Sequence, residues 1–214
     1  GLYSEGDITI SGADTKVEMT DQTGSYAGKV FKIQGGDVQV SSDEVALLGY
    51  YGVEITGGTV KAEAKTESAV IANRGSLSIT GEHTKVTAVT HAADKATLRN
   101  VRDGGIYLAS SVTISNTAGG ALTEGIMKDK STGITLGEGY DAFGLEVYTN
   151  EDGKTYFIAA GGENNTPATG TVTICKHTWG TPIWTWTEDY SSASAKFVCT
   201  QDAEHFLEEM ATVT

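Results

Sequence analysis

Val53-Glu54-Ile55-Thr56-Gly57-Gly58-Thr59-Val60-Lys61-Ala62-Glu63-Ala64 alternates apolar and polar residues on both sides of a glycine pair. Alternation of period two puts Val53 and Ile55 on one face of a strand and Val60, Ala62 and Ala64 on one face of the next; glycine allows the chain to turn between them. The pattern returns along the chain. Ile8/Ile10 is followed seven residues later by Val17, Phe31/Ile33 by Val40, Val53/Ile55 by Ala62, Leu77/Ile79 by Val86, Val112/Ile114 by Ala121, and Ile134/Leu136 by Phe143. The second members of these pairs are 23, 22, 24, 35 and 22 residues apart. A period of twenty-odd residues made of short strands is the mark of a solenoid, in which each coil buries its apolar face against the next.

Glycines follow the pair at Gly12, Gly35-Gly36, Gly57-Gly58, Gly81 and Gly137, where positive φ would start the next side of a coil. A third apolar group completes most coils: Val45-Ala-Leu-Leu48, Ser68-Ala-Val-Ile-Ala72 and Ala96-Thr-Leu98. Three short strands per coil predict an all-β fold, a single-stranded parallel β-helix. An antiparallel sandwich also uses short strands, but its hairpin loops have no reason to keep one spacing. The step of 35 residues predicts a loop projecting from the stack over residues 90–110, and projecting loops are where solenoids place function.

The chain has 214 residues, 27 Gly, 2 Pro and a formal charge of -13. Its 15 basic residues are scattered, which argues against nucleic acid and against an anionic membrane surface. No apolar run approaches the ~20 residues of a spanning helix, so no membrane insertion is expected.

Beyond Phe143 the pattern changes. Leu145-Glu-Val-Tyr-Thr-Asn-Glu-Asp-Gly-Lys-Thr-Tyr-Phe-Ile158 reads as a hairpin around Asn150-Glu-Asp-Gly153 that caps the last coil, since an open solenoid end exposes apolar surface. Residues 161–170 read as a polar linker. Residues 171–214 hold all three Trp, both Cys and two of the four His, a composition shift that marks a small antiparallel β module. The predicted organisation is a β-helix with hairpin cap over 1–160, the linker, and the module over 171–214.

Val53-Glu-Ile-Thr-Gly-Gly-Thr-Val-Lys-Ala62 and Leu77-Ser-Ile-Thr-Gly81 resemble the coils of right-handed, pectate-lyase-like β-helix surface proteins and carbohydrate-binding β-helices of Gram-positive gut bacteria. The tail, from Trp179-Gly-Thr-Pro-Ile-Trp-Thr-Trp186 through Phe197-Val-Cys199 to His205, resembles a short β repeat found in tandem on Firmicutes surface proteins. The resemblance implies an extracellular, secreted or cell-wall-attached protein with further modules, and a polysaccharide or host-cell glycan as partner.

Catalysis by a β-helix needs clustered carboxylates, either for calcium or as a hydrolytic pair. Here Asp and Glu fall singly on turns and coil exteriors. The best candidate cleft is in the long coil: Asp94, Arg99, Arg102, Asp103 and Tyr107, with His91 nearby, to be weighed against an ion-pair network on a solvated loop. Exposed rings suit sugar stacking, and Tyr50-Tyr51, Tyr107 and Tyr140 are candidates in the solenoid. Trp184 and Trp186 share a strand face and make either a stacking platform or the core of a small module.

Cys175 and Cys199 suit a disulfide outside the cell. The alternative is a structural zinc ion on Cys175, His177, Cys199 and His205, although Asp202 stands where a second Cys would complete a C-x-x-C. No other cofactor is expected. These readings favour a non-catalytic, glycan-binding or adhesive surface segment. The alternatives are a polysaccharide lyase or glycoside hydrolase acting through the long coil, and a purely structural stalk.

Overall fold

The computed structural model describes residues 1–161, 165–200, 203 and 205–212, and no helix occurs among them. The chain winds into a parallel β-solenoid of about five turns. Four long strands each cover two sides of a coil and bend at the corner between them, which holds glycine in the first three: β5 (Val30–Ser42), β7 (Gly52–Ala64), β9 (Leu77–Thr90) and β11 (Ile106–Asn116). In the first coil the same two sides are the separate strands β2 (Ile8–Ile10) and β3 (Lys16–Asp21). The third side is a ladder of short strands: β1 (Tyr3–Ser4), β4 (Ser25–Ala27), β6 (Leu47–Gly49), β8 (Val70–Ala72), β10 (Leu98–Asn100) and β12 (Thr123–Ile126).

Parallel register aligns like with like. Phe31, Val53, Leu77 and Ile106 form one inward column, and Ile33, Ile55, Ile79 and Leu108 form the next. All eight are buried, which at about 1.5–3 kcal/mol per large apolar side chain makes these columns the main cohesion of the stack. At the corner, Gly12, Gly36, Gly58 and Gly81 all have φ between 86° and 105°. A side chain on Gly58 would collide with the carbonyl oxygen of Gly36 one coil below, so the position requires glycine for space as well as for φ. Gly137 does not share that conformation.

The register corrects the predicted spacing. Ile79 pairs with Leu108, and Val112/Ile114 pair with Val86/Ala88, so the true steps are 29 residues from Ile79 to Leu108 and 28 from Leu108 to Leu136. The 35-residue step therefore joined residues on two different sides of a coil. No loop projects over residues 90–110; that coil gains its residues in small amounts at three corners. At the first corner of the next coil the buried hydroxyl of Ser110 donates to the carbonyls of Gly81 and Thr84 below it, at 3.0 and 2.6 Å, where earlier coils place glycine.

The C-terminal end of the stack is closed by strands that reverse direction. β13 (Ile134–Leu136) is the last parallel rung, on the first half of β11. The hairpin β15 (Leu145–Thr149) and β16 (Lys154–Ala159) adds antiparallel to β12, as the hairpin reading expected, and Phe157 joins the core. The second half of β11 is covered by the antiparallel strand β17 (Gly170–Lys176), whose Ile174 and Val172 continue the columns of Val112 and Ile114. β17 also pairs with β14 (Tyr140–Ala142). Two expectations change here. Phe143 does not point inward; its neighbour Ala142 does, and Phe143 is 38% exposed. The stretch from Thr171, read as the start of the small module, is hydrogen-bonded into the solenoid.

The remaining sheet is antiparallel: β18 (Ile183–Trp186), β19 (Ser192–Val198) and β20 (Phe206–Thr212). Asp202 lies outside the described residues.

Candidate functional site

The long-coil residues do not converge. Arg99 points outward from β10 and bonds Glu124 through Nε at 3.2 Å, and Glu124 is shared with Lys154 at 3.4 Å. Asp94 lies at the corner after β9 with its carboxylate 3.7 Å from Lys95. Asp103 sits at the next corner and accepts the Gly75 amide of the coil below, beside the exposed Arg102. Tyr107 projects from β11 on yet another side, 41% exposed. His91 bridges coils, between Thr117 and Glu63, and its hydrogen bond is the main reason the Glu63 carboxyl sits below the usual range. Arg99, Asp103 and His91 tie neighbouring coils, Asp94 pairs only with the next residue, and the set leaves the stack on separate faces.

Among the solenoid tyrosines, Tyr50 and Tyr51 meet edge to face at a corner, with the Arg74 guanidinium 5.8 Å from the Tyr50 centroid. Tyr140 lines a hollow of about 430 Å³ together with Glu82, His83, Lys85 and Lys176. Trp184 and Trp186 lie on one face of β18 opposite Ala195 and Ala193. The small alanines are buried beneath them while the indoles remain 55% and 51% exposed, so the pair is a surface platform rather than a core. Tyr190 lies 6.4 Å from Trp186, centroid to centroid.

The residues that do converge are those of the two cysteines. Cys175 and His177 are two apart at the end of β17 and face the same way. Cys199 follows β19, and its amide donates to the His205 carbonyl at 2.8 Å, which seats Cys199 and His205 opposite one another across the β19–β20 turn. The ligand atoms of Cys175, His177 and Cys199 all lie within 4.8 Å of one another, the only such cluster of three or more His, Cys, Asp or Glu among the described residues. The Cys175 Sγ is 3.5 Å from His177 Nδ1 and 3.7 Å from His205 Nδ1. Both imidazoles stand against the Cys175 sulfur.

An aromatic collar surrounds this cluster. Phe143 stacks on His205 at 5.0 Å, and Trp179 stacks on His177 at 5.1 Å with planes 9° apart. The side chain of Asp141 approaches the far ring nitrogen of His177 at 3.8 Å. The sequence reading missed Phe143, Trp179 and Asp141 as parts of a site. Trp179 could have been found, two residues beyond His177; nothing local marks the other two.

Compared with protein-family models, curated proteins and solved structures, the chain shows no significant match.

Proposed function

We propose that this chain is a non-catalytic, glycan-binding or adhesive segment of a secreted or cell-wall-attached protein, and that its contact surface is the Trp184/Trp186 face of the C-terminal sheet. The observation that supports this is the half-exposed pair of indoles on a strand, about 7 Å apart along it. Flat rings present an apolar face to the C–H side of a sugar ring, and the exposed Tyr190 beside Trp186 adds a third ring with a hydroxyl. A net charge of -13 favours a neutral or amino-sugar polymer over a polyuronate.

A second reading, the structural stalk, draws on the ion pairs that tie neighbouring coils: Asp7 to Lys32, Asp43 to Lys65, Glu67 to Lys95 and Arg99 to Glu124. Each of these pairs joins residues of neighbouring coils.

Affinity electrophoresis through gels of individual cell-wall and host polysaccharides separates these readings. Retardation by at least one polymer is expected, weakened about tenfold by Trp184→Ala or Trp186→Ala and unchanged by Arg99→Ala. Absence of retardation in every gel would leave the stalk. Cleavage of any of the polymers would overturn both readings in favour of the lyase or hydrolase.

A further inference from the structure

At the junction of solenoid and sheet the donor atoms of Cys175, His177 and Cys199 lie within 4.8 Å of one another, and a fourth, His205 Nδ1, lies 3.7 Å from the Cys175 sulfur. A zinc ion with Zn–S of about 2.3 Å and Zn–N of about 2.05 Å in tetrahedral geometry sets sulfur-to-nitrogen edges of about 3.6 Å. The two separations at Cys175, 3.5 and 3.7 Å, match that edge. Both imidazoles turn Nδ1 toward the same sulfur. A neutral thiol has one proton and cannot satisfy two ring nitrogens as donor, whereas a thiolate and two neutral imidazoles around a cation are each in their ligating form.

The surroundings point the same way. Cys175, Cys199 and His205 are buried, and the His177 side chain is 9% exposed. The Nε2 of His177 is buried with no hydrogen-bond partner in reach, and the nearest acceptor is the Asp141 carboxylate at 3.8 Å. A metal-bound imidazole commonly donates its other N–H to a carboxylate, and a modest shift of the exposed Asp141 side chain completes that bond. Phe143 and Trp179 fix the ring planes and keep water from the sulfur atoms.

We propose that Cys175, His177, Cys199 and His205 bind one zinc ion as a closed, structural Cys₂His₂ site, and that this ion fastens the C-terminal sheet to the capped end of the solenoid. The four ligands come in two pairs of different origin. Cys175 and His177 extend from β17, which belongs to the solenoid, and Cys199 and His205 belong to the β19–β20 turn of the small sheet. That sheet has three strands, and on its two faces Ile183, Trp184, Trp186, Met210 and Leu207 are exposed. Three strands without a covering layer have little stability of their own, so an ion bridging to a rigid neighbour supplies order the sheet lacks. With all four positions filled by protein, no open coordination position remains for catalysis, which suits a staple and not a reaction centre.

The test uses the whole chain, purified under reductant without chelator, and reads metal content, a Co²⁺ spectrum and tryptophan emission. All three Trp are at 179, 184 and 186, so emission reports the sheet and the metal site alone. The expected result is one equivalent of zinc. Co²⁺ replacing it should show the intense visible bands of a tetrahedral ion and near-ultraviolet sulfur-to-metal charge transfer. Chelation should change the tryptophan emission while the far-ultraviolet β signal of the solenoid persists. Cys199→Ser and His205→Ala should each weaken zinc binding by about a hundredfold or more, and His177→Ala, away from the β19–β20 turn, controls for misfolding of that turn. Less than a tenth of an equivalent bound at micromolar free zinc would overturn the proposal. So would an octahedral cobalt spectrum, or a Cys175–Cys199 disulfide that forms in air once reductant is removed, with dioxygen as the oxidant, and that forms equally fast with zinc present.

Discussion

Asn116→Ala is expected to lower the stability of the solenoid by about 3 kcal/mol, read as a fall in the urea midpoint at unchanged m-value. Asn116 is buried at the corner between β11 and β12. Its Nδ2 donates toward the carbonyls of Ala92, Lys95 and Ala121, at 3.1, 2.9 and 3.3 Å, and its Oδ1 accepts the amides of Ala118 and Gly120, both at 3.1 Å. One side chain thus serves five backbone groups from two successive coils. Alanine removes all of these bonds at once; the Ala92 and Ala121 carbonyls keep the amides of Lys95 and Thr97, and the other groups lose the partner Asn116 gave them, each at about 1–3 kcal/mol unless water enters. Asn116→Asp keeps the acceptor but turns a carboxylate toward three carbonyl oxygens, and should be at least as damaging. A loss below 1 kcal/mol for the alanine variant would mean that water takes over the network.

Phe157→Ala is expected to cost about 4 kcal/mol, within the range for emptying a buried phenylalanine site. Phe157 is 1% exposed on β16, its amide donates to the Thr123 hydroxyl at 3.3 Å, and its carbonyl accepts from Ala168 at 2.6 Å. The damage should be confined to one end. Each coil touches only its neighbours, so loss of the cap exposes the last coil without directly weakening the third. Amide exchange should quicken in β12, β16 and β17 and stay slow in β5 and β7. Uniform acceleration through all coils would show that the stack unfolds as one unit and that the cap is not a separable part.

Most of the winding was legible because inward columns impose one residue type at one spacing, and that constraint survives from Phe31 to Leu77. It failed where the physical device changed. Ile106-Tyr107-Leu108 is a true first-side pair, but Ala109-Ser110 follows it in place of glycine, and the Ser110 hydroxyl ties the corner that glycine bends elsewhere. The next apolar pair, Val112/Ile114, then reads as the repeat although it belongs to the second side. Phe143 misled for a related reason. It stands at the right offset from Leu136, but β14 leaves the coil to pair with β17, so the offset no longer fixes a side. The cysteine cluster was legible only by halves. Spacing of two places Cys175 beside His177, and the turn joins Cys199 to His205, but their meeting depends on β17 doubling back onto β11, which no local pattern encodes. The long-coil cleft failed because residues near in sequence leave a coil on different sides.

That reversal of β17 also sets an order of events. Neighbouring coils close loops of 22 to 29 residues, whereas the side chains of Thr113 and Thr173 meet across 60. The added loop entropy is only about 0.8 kcal/mol, too little to delay the pairing by itself. What delays it is the template: β17 can dock only on a finished β11, and β11 only on β9. During refolding the rungs from β5 to β11 should therefore gain amide protection first, with Val172 and Ile174 following. Pulse-labelled exchange would reveal the opposite order as early protection of those two residues. A chain that winds from a point and closes one end last has a direction in time as well as in space, and its tryptophan-bearing sheet is the final part to take shape.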